Sequence, residues 1–538
     1  MYSREAFTDD EAAKLRPYFT NLDQPIFALT NLPEVVKGAL FARYSRSDKS
    51  LRRLFLDEFV PDLDLTGDLT VDATVGLRRA EELYDRVFLE YGDDSVAQLG
   101  GVHLACEQAS NLLTKVLEWG RLMSYLEQST RYIPYDSRVD GRYRYHRPPE
   151  VLGARHGARY VADIDGLFDS YRTLLPVLTD WARRRYPKDD ATSDFVYKQT
   201  IKAKACDSVR GILPAATLSN VGIYGTGQAF EALLLRMLAH PLPEARSYAH
   251  DMLSELRKVI PSFLTRVDRP ERGGAWVDYF ATNAAATRDL VEQMFAAPVA
   301  ANAAPTSSGP QVRLLDFDPD GEDKVLTAIA FAASDRPEAQ IAAEVRRLGA
   351  DDRAALLRAY VGDRQNRRHK PGRAFERTTY RFEIVGDYGA FRDLQRHRML
   401  TIEWQPLTPN LGFDVPESVD EAGATAMFHD AMGRSADLFE TLRDDHPVEA
   451  GYAVSLAYRV RYVMHMNARE AMHLIELRSA PQGHPAYRRV AQEMHRQIAE
   501  VAGHRLIAEA MKFADHETYE LERLEAELAA ERRRLAST

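Results

Sequence analysis

One short pattern of arginine, histidine and serine is divided between the two halves of this 538-residue chain. The second half contains Arg396-His397-Arg398, with no matching serine downstream. The first half contains Arg121 and, after seven residues, Ser129-Thr130-Arg131, but Trp119 and Gly120 precede that arginine. Set together, the fragments complete one pattern: R-H-R, seven residues, then S-x-R. Each half therefore carries the fragment that the other half lacks.

Length and composition agree with more than one soluble domain. A chain of 538 residues with 45% hydrophobic content can build several cores. The net charge of −10 argues against a general nucleic-acid binder, which would show a basic face. The two cysteines, Cys106 and Cys206, are expected to be buried thiols, and no disulfide framework is predicted. Without a signal-like leader or an apolar run of about 18 residues, we expect a cytoplasmic protein that does not cross a membrane.

Residues 294–311 form the clearest predicted boundary, because they are rich in Ala, Pro and Ser and carry almost no charge. They separate predicted domains at 1–293 and 312–538, the second ending in a charged helix at 517–536. Strands are predicted at 312–317 and 378–386, and apolar residues at three- and four-residue spacing predict helices elsewhere. The predicted helices include 77–92, 102–129, 246–264 and 487–514. The fold class is α+β, dominated by helices.

The triplet at 396–398 is predicted to lie near the end of a helix that Pro406 and Pro409 terminate. Adjacent helical residues point about 100° apart, so its two arginines diverge and suit a seam where a ligand is wedged between elements. The alternative is a solvated basic helix end stabilised by the macrodipole.

Other arginines stand where an anion or a nucleotide base can be bound. Ser129 and Arg131 point the same way on an extended segment and can bind a pyrimidine edge or a phosphate. Arg210, before Ile-Leu-Pro, and Arg236 carry the guanidinium fork that suits phosphate. The alternative is a turn serine beside surface arginines.

Residues 464–485 form a fourth polar group, predicted to lie on a helix. Asn467 and Arg478 are spaced to share one face, and Arg469 and His473 share another. Amide, guanidinium and imidazole groups beside Met and Leu suit a cofactor with a phosphate and an aromatic ring, although simple exposure is an alternative. The histidines are scattered, so no metal site is predicted.

The order of these groups resembles that of the flavin-dependent thymidylate synthases. In the second half, Arg396-His397-Arg398 matches the family's triplet. The positions that resemble its flavin contacts are Glu376, Asn467, Arg469 and His473, with Arg478 ending the motif. The family's serine and following arginine are replaced by Pro406 and Thr408, and its nucleotide-binding R-x-x-L-P element has no counterpart near Gly451.

The first half shows the reverse. Its residues that match the rest of the signature are Arg121, Glu127, Gln128, Ser129 and Arg131, and Arg210 and Arg236 resemble the nucleotide-side arginines. The flavin-side positions fall near Gln98, Gly225 and Gly227. The resemblance thus assigns the uridylate side to the first half and the flavin side to the second.

The resemblance implies an enzyme assembled from duplicated, diverged domains. The family's enzymes are homotetramers with sites shared between subunits, so a homodimer of fused chains would replace the tetramer. The implied reaction transfers a methylene group from methylenetetrahydrofolate to dUMP, followed by reduction with FAD, which NADPH regenerates. No covalent nucleophile is implied; Arg131, with Ser129, would polarise the uracil. The triplet of one half is then expected to approach Ser129 and Arg131 of the other.

Two further functions remain open at this point. One is a related flavoenzyme that modifies another pyrimidine nucleotide or uses another one-carbon donor. The other is a non-catalytic protein that binds a flavin or a nucleotide. Nearly every element of the pattern survives in one copy, which favours an enzyme.

Overall fold

The computed structural model describes residues 5–24, 27–44, 49–60, 98–131, 133–190, 192–295, 310–521, 523–524, 527–528 and 531–532. The chain divides into two compact units that alternate along the sequence. Unit 1 comprises Met1–Glu107, Gly120–Glu127 and Asn220–Ala297. Unit 2 comprises Gln108–Trp119, Gln128–Ser219 and Pro298–Thr538. Because these units alternate along the sequence, they do not test the domains expected at 1–293 and 312–538, which stay a prediction. Most of the expected linker at 294–311 lies outside the described residues.

Unit 1 contains most of a three-stranded sheet with the order β1-β3-β2. The strands are β1 (Gly101–Ser110), β2 (Met123–Glu127) and β3 (Leu218–Thr226), and β2 pairs antiparallel with β3. The described helices of this unit are Asp9–Leu15, Glu34–Tyr44, Leu51–Glu58, Gly227–Leu238, Pro243–Arg257 and Ala275–Met294. Short helical turns cover Pro261–Leu264 and Pro270–Gly274.

The long helix predicted at 102–129 is wrong. That segment forms β1, a short helix at Asn111–Leu117 and β2. The helix starts at Ser110, whose hydroxyl accepts a hydrogen bond from the Leu113 N–H at 3.0 Å. The apolar residues before and after this short helix are spaced as in a helix. There, however, the backbone N–H and C=O groups form their hydrogen bonds with β3, so both segments are strands. The helix predicted at 77–92 lies outside the described residues.

Unit 2 is built on a four-stranded antiparallel sheet with the order β4-β5-β7-β6. Its strands are β4 (Gln311–Phe317), β5 (Thr379–Asp387), β6 (Leu400–Trp404) and β7 (Arg459–Asn467), which confirms the strands expected at 312–317 and 378–386. Its helices are Asn111–Leu117, Pro149–Leu152, Gly157–Arg185, Asp194–Val209, Gly321–Ala332, Glu338–Val345, Ala350–Val361, Tyr388–Leu394, Glu417–Glu421, Thr425–Leu442, Ala468–Arg478, Pro485–Glu500 and Arg505–Ala510. Shorter 3-10 turns cover Arg210–Ile212, Arg373–Arg377, Pro409–Leu411 and Glu449–Ala453.

Helices predominate and both sheets are small, so the predicted helix-rich α+β class is confirmed. The charged helix expected at 517–536 falls partly outside the described residues, and residues 524, 527–528 and 531–532 are helical. Within the described part of the chain, no helix is both long and apolar enough to span a membrane.

The topology contains an internal repeat. Strand order β1-β3-β2 in one sheet equals β5-β7-β6 in the other. A short helix follows β1 and β5, and a longer helix follows β3 and β7, so each element has its counterpart in the same position. Thr226 caps the helix after β3 as Asn467 caps the helix after β7. The two halves are therefore built on one plan, as the divided pattern predicts.

Corresponding segments of the two repeats meet inside unit 2. Pro214 and Ser455 occupy equivalent turns, one in each repeat, and they pair with each other in an antiparallel bridge. The N–H of Asn111, which starts one short helix, donates to the Thr217 carbonyl. The N–H of Tyr388, at the start of the equivalent helix, donates to the Tyr458 carbonyl. The equivalent turns also exchange backbone hydrogen bonds, from Ala215 N–H to the Val454 carbonyl and from Leu456 N–H to the Leu213 carbonyl, as a local twofold axis requires.

A fully buried ion pair holds the helix Ala468–Arg478 against its neighbours. Arg364 donates from both terminal nitrogens to the Glu476 carboxylate, at 2.7 and 2.6 Å, and from one of them to the Ala510 carbonyl at 2.7 Å. Both side chains are only 1% exposed. Removing one partner of such a pair leaves a charge that neither water nor protein solvates.

We expect Glu476→Ala to lower the free energy of unfolding by about 3–5 kcal/mol, because it leaves Arg364 buried without its carboxylate. Urea denaturation followed by circular dichroism measures this. The control, Glu440→Ala, removes the exposed ion-pair partner of Arg443 and should cost less than about 1 kcal/mol. Equal losses in the two variants would contradict the role given to the buried pair.

Candidate active site

The triplet 396–398 lies in a turn between the helix Tyr388–Leu394 and β6, not on a helix as predicted. The helix ends at Leu394, well before Pro406 and Pro409, which therefore do not terminate it. The physical reason is that Leu400–Trp404, rich in β-branched and aromatic residues, is taken up by pairing with β7. The turn lets the three side chains point to different neighbours.

Asn467 caps the helix Ala468–Arg478 and does not lie on its face as expected. Its side-chain oxygen accepts a hydrogen bond from the Glu470 N–H at 2.9 Å. The helix therefore begins one residue later, and the predicted residues Arg469, His473 and Arg478 lie on it.

A hydrogen-bonded chain joins this helix to the triplet. His397 shares a hydrogen bond with Glu470 through Nδ1 at 2.9 Å, and Arg478 Nε donates to His397 Nε2 at 3.0 Å. Because Nε2 accepts, the proton of the neutral imidazole lies on Nδ1 and is donated to the Glu470 carboxylate. Glu470 also contacts His473, 3.3 Å away.

The charges along this chain follow from burial. Burial lowers the pKa of His397 to about 4, so the ring is neutral near pH 7. Burial by itself would raise the pKa of Glu470, but hydrogen bonds from His397 and His473 hold it at about 2. A carboxylate, a neutral histidine and a guanidinium thus form a fixed network.

Asp393, in the last turn of the helix before the triplet, is surrounded by three arginines. It forms a close ion pair with Arg396, and its carboxylate lies 3.8 Å from Arg478 Nη1 and 3.9 Å from Arg210 Nη1. Burial alone would raise the pKa of Asp393, but these guanidinium groups hold it far below its usual value. The acid is therefore ionised near pH 7.

Arg131 is held by a second aspartate. It donates to both carboxylate oxygens of Asp207, at 2.9 and 2.7 Å, and to the Tyr487 hydroxyl at 2.7 Å. The guanidinium carbons of Arg131 and Arg478 lie 5.6 and 5.5 Å from the centre of the Tyr487 ring. Burial disfavours the charge of Arg131, but Asp207 outweighs this and raises the pKa of Arg131.

Arg210 lies where the helix Asp194–Val209 passes into a 3-10 turn, and it is buried. Its Nη2 has no hydrogen-bond partner among the described residues. Burial lowers the pKa of Arg210, although Asp207 and Asp393 oppose that shift. A buried guanidinium nitrogen without an acceptor is costly unless a ligand supplies one.

The structure therefore brings together predicted residues from both halves within unit 2. Arg131 and Arg210 come from the first half, and Arg396, His397 and Arg478 come from the second. Tyr487 contacts both Arg131 and Arg478. The expectation that the triplet approaches Ser129 and Arg131 stays a prediction.

Other predicted residues lie at the edge of this cluster or elsewhere. The Ser129 hydroxyl accepts a hydrogen bond from the Arg131 N–H at 3.2 Å, and the Gln128 carbonyl accepts one from Ser219. Arg469 donates to the Pro371 carbonyl and lies 3.8 Å from Glu376. Arg398 is exposed. Arg121, Glu127 and Arg236 belong to unit 1, where Arg121 is exposed and burial lowers the pKa of Arg236.

Sequence reasoning missed four residues that organise the site: Asp207, Asp393, Glu470 and Tyr487. Asp207 and Asp393 each stand three residues before an arginine already singled out, Arg210 and Arg396. That spacing places acid and base on neighbouring positions of one helical turn and was a usable signal. Tyr487 carried no such signal, because only packing brings it to Arg131.

His397, Glu470 and His473 also place ligand atoms within 4.8 Å of one another. The sequence predicted no metal site, and spacing along the chain does not show this proximity. The hydrogen bonds among the three groups, with Arg478 on the far nitrogen of His397, account for the cluster as a polar network.

Comparison with known protein families identifies the two repeats. The family model described as thymidylate synthase complementing protein matches residues 46–262 and 313–503. The chain belongs to this family. Two matched segments in one chain confirm the tandem arrangement, and the flavin-dependent thymidylate synthase family is the one that the divided motif predicts.

Relatives of the same double length occur in bacteria and archaea. The chain is 39% identical over 534 residues to a UPF0159 protein of Chlamydia muridarum, covering 98% of this chain and 99% of that protein. A UPF0159 protein of Chlamydia pneumoniae is 38% identical, with 98% of both chains covered. A UPF0159 protein of Thermoplasma acidophilum is 32% identical, covering 91% of this chain and 98% of its own.

Among solved structures, one match is described as a UMP/dUMP methylase, PolB, from Streptomyces cacaoi, bound with 5-Br dUMP. It is 18% identical, has a TM-score of 0.32, and covers 38% of this chain and 96% of that chain. The same protein bound with 5-Br UMP gives a TM-score of 0.30 at 17% identity, with 39% and 96% covered. Because both TM-scores are low, the assignment of the chain to its family rests on the match to the family model and not on these structures.

The equivalent positions of the other repeat have lost this chemistry. Counting from the ends of the short helices, Leu117 and Leu394, the positions of Asp393, Arg396 and His397 correspond to Val116, Trp119 and Gly120. On the sequence match between the halves, Arg131 and Arg210 correspond to Thr408 and Gly451. Among the described residues, these positions therefore form the charged cluster in one arrangement, and their counterparts at Val116, Trp119, Gly120, Thr408 and Gly451 carry no charge.

We expect the neutral state of His397 to make the protein acid-sensitive. Its pKa of about 4 lies below that of a free histidine, so its contribution to stability is present above about pH 6.5 and is lost as the pH falls toward 4. Between about pH 7 and pH 4.5, wild type should lose about 2 kcal/mol more than His397→Gln. Urea denaturation at each pH measures the difference, with His465→Gln, at an exposed histidine of β7, as the control. Parallel pH profiles for wild type and His397→Gln would contradict the assignment.

Proposed function

We propose that this chain is an FAD-dependent enzyme resembling thymidylate synthase, which transfers a methylene group from methylenetetrahydrofolate to dUMP and reduces it to give dTMP. The observation that supports it most is the buried arginine cluster, built from both halves in a member of this family. Arg131, Arg210, Arg396 and Arg478 bring four guanidinium groups close to two aspartates, Asp207 and Asp393, and a fifth arginine, Arg523, lies 3.7 Å from Asp207. That excess of positive charge suits a phosphate dianion.

Within this proposal, the arginines bind the nucleotide. Arg210 would donate its unpartnered Nη2 to a phosphate oxygen. Arg131 is fixed by Asp207 and Tyr487. Its positive charge would lie beside the uracil and stabilise the negative charge that develops on the ring. Because Asp207 holds Nε and Nη2 of Arg131 and Tyr487 holds Nη1, little reorganisation is needed when that charge appears.

The second-half residues fit the phosphate-bearing cofactor that the family uses. Arg469 and His473 lie partly exposed on the first turns of the eleven-residue helix Ala468–Arg478, where the positive end of the helix dipole favours anions. Glu376 lies beside Arg469, and His397 lies beside His473 with ring centres 5.2 Å apart. We propose that these groups hold FAD, which would supply the hydride for the reduction once NADPH has reduced it.

Neither cysteine suits a covalent mechanism. Burial raises the pKa of Cys106 to about 12, and burial also raises the pKa of Cys206 to about 11. Both thiols stay protonated near pH 7 and are poor nucleophiles. A mechanism in which arginines polarise the uracil agrees with this.

By the same family resemblance we propose a homodimer, in which two fused chains supply four domains.

We expect the purified protein to carry FAD without a covalent bond, and Arg469→Ala/His473→Ala to lose most of it. The reason is that both side chains face the same end of one helix and supply positive or hydrogen-bonding groups to a diphosphate. Flavin absorbance per protein measures the content. The control is Arg434→Ala/His429→Ala, an exposed pair on the helix Thr425–Leu442 of the same unit. A colourless wild-type protein that does not take up added FAD would refute the cofactor assignment.

We expect Arg210→Ala and Arg131→Ala to weaken dUMP binding by about ten- to a hundredfold, while FAD content stays close to that of wild type. For Arg210, the lost charge-assisted hydrogen bond to phosphate is worth about 1.5–3 kcal/mol, and 1.4 kcal/mol is about tenfold in affinity. For Arg131, the loss is that of the positive charge beside the uracil. Calorimetric titration with dUMP measures this, with Arg434→Ala as the control for losing a partly exposed arginine. Unchanged affinity in both variants would remove the arginine cluster as the nucleotide site. A wild-type protein that binds FAD but not dUMP would favour a flavoenzyme acting on another pyrimidine.

A further inference from the structure

Asp393 stands where an anionic ligand of the arginine cluster would be expected. Its two carboxylate oxygens face Arg396 and Arg478 on one side and Arg210 on the other. The side chain is 14% exposed, so water screens these contacts only weakly. A single carboxylate therefore serves as shared counterion to three guanidinium groups.

The position of Asp393 is unfavourable apart from these arginines. It lies in the last turn of the helix Tyr388–Leu394, where the negative end of the helix dipole repels a carboxylate. The equivalent position in the first repeat, Val116, is uncharged. The acid thus accompanies the arginines and is not required by the shared fold.

The two aspartates of this cluster hold their arginines in different ways. Asp207 is committed to Arg131 through two short hydrogen bonds. Asp393, in contrast, contacts Arg210 and Arg478 only at 3.9 and 3.8 Å, beyond hydrogen-bond distance. An incoming phosphate could reach those two arginines at shorter distance, but it would meet the charge of Asp393.

We propose that Asp393 is a built-in competitor for the anion site: it occupies Arg210, Arg396 and Arg478 in the free protein, and the phosphate of a nucleotide must displace it. This proposal rests on the proposed function for the identity of the nucleotide, but not for the anion competition itself. The carboxylate keeps the buried arginines paired when no ligand is bound. It also lowers affinity for small anions, so that binding requires the further contacts that a nucleoside makes.

The experiment compares binding of inorganic phosphate and of deoxyuridine, which lacks the phosphate, to wild type and to Asp393→Asn. We expect Asp393→Asn to bind phosphate at least about tenfold more tightly, because one repelling charge near the anion is removed. Deoxyuridine binding should stay as in wild type. The control is Asp163→Asn, which removes a 16%-exposed carboxylate that pairs with two arginines, Arg434 and Arg159, outside the cluster.

Phosphate affinity that is unchanged, lost or weakened in folded Asp393→Asn would overturn the proposal and leave Asp393 as a positioning residue for the arginines. A gain that deoxyuridine shares would overturn it too, since the effect would not belong to the anion.

If Asp393→Asn does not fold, a second comparison replaces it. The double variant Asp393→Asn/Arg396→Gln, which removes one charge of each sign, is then compared with Arg396→Gln alone. The double variant should bind phosphate more tightly, and equal affinities would overturn the proposal. Inorganic phosphate keeps this result separate from any failure of the protein to bind dUMP or FAD.

Discussion

Burial of several guanidinium groups close together is the constraint on which the rest of the site depends. Arg131, Arg210 and Arg478 are each largely withdrawn from water, and such groups are stable only when fixed acceptors replace the solvent. Asp207 supplies acceptors to Arg131, and His397, itself bonded to Glu470, accepts from Arg478. Asp393 places a negative charge within 4 Å of both Arg210 and Arg478. The acids are therefore as much a part of the site as the arginines that the motif revealed.

Tandem duplication explains how one chain can hold such a cluster. Where two copies of a domain meet about a local twofold axis, the bridge between Pro214 and Ser455 brings like segments together. Each copy contributes different side chains to the same space, so neither needs to keep the full set. The loss of arginine at Thr408 and Gly451 and of the triplet at Trp119 and Gly120 follows that logic.

The helix Ala468–Arg478 links stability to the site. Its buried face is held by Glu476 on Arg364, its start is capped by Asn467, and its last residue, Arg478, reaches both His397 and Asp393. A side chain placed at the end of a helix anchored in this way has little freedom to move. The geometry of the arginine cluster therefore depends on an ion pair that contacts no ligand.

Local sequence determined a good part of this protein. Charge, composition and motif order identified two related helix-rich α+β domains, the strands at 312–317 and 378–386, and the arginines Arg131, Arg210, Arg396 and Arg478, because these signals depend on residue type and short spacing. Tertiary structure decided the rest. Residues 102–110 became a strand because β3 offered hydrogen bonds that outweigh local helical spacing, and the triplet left its helix because β6 pairs with β7. Asp207, Asp393 and Tyr487 acquired their roles only through packing, since the free energy of burying a charge depends on partners that are distant in sequence.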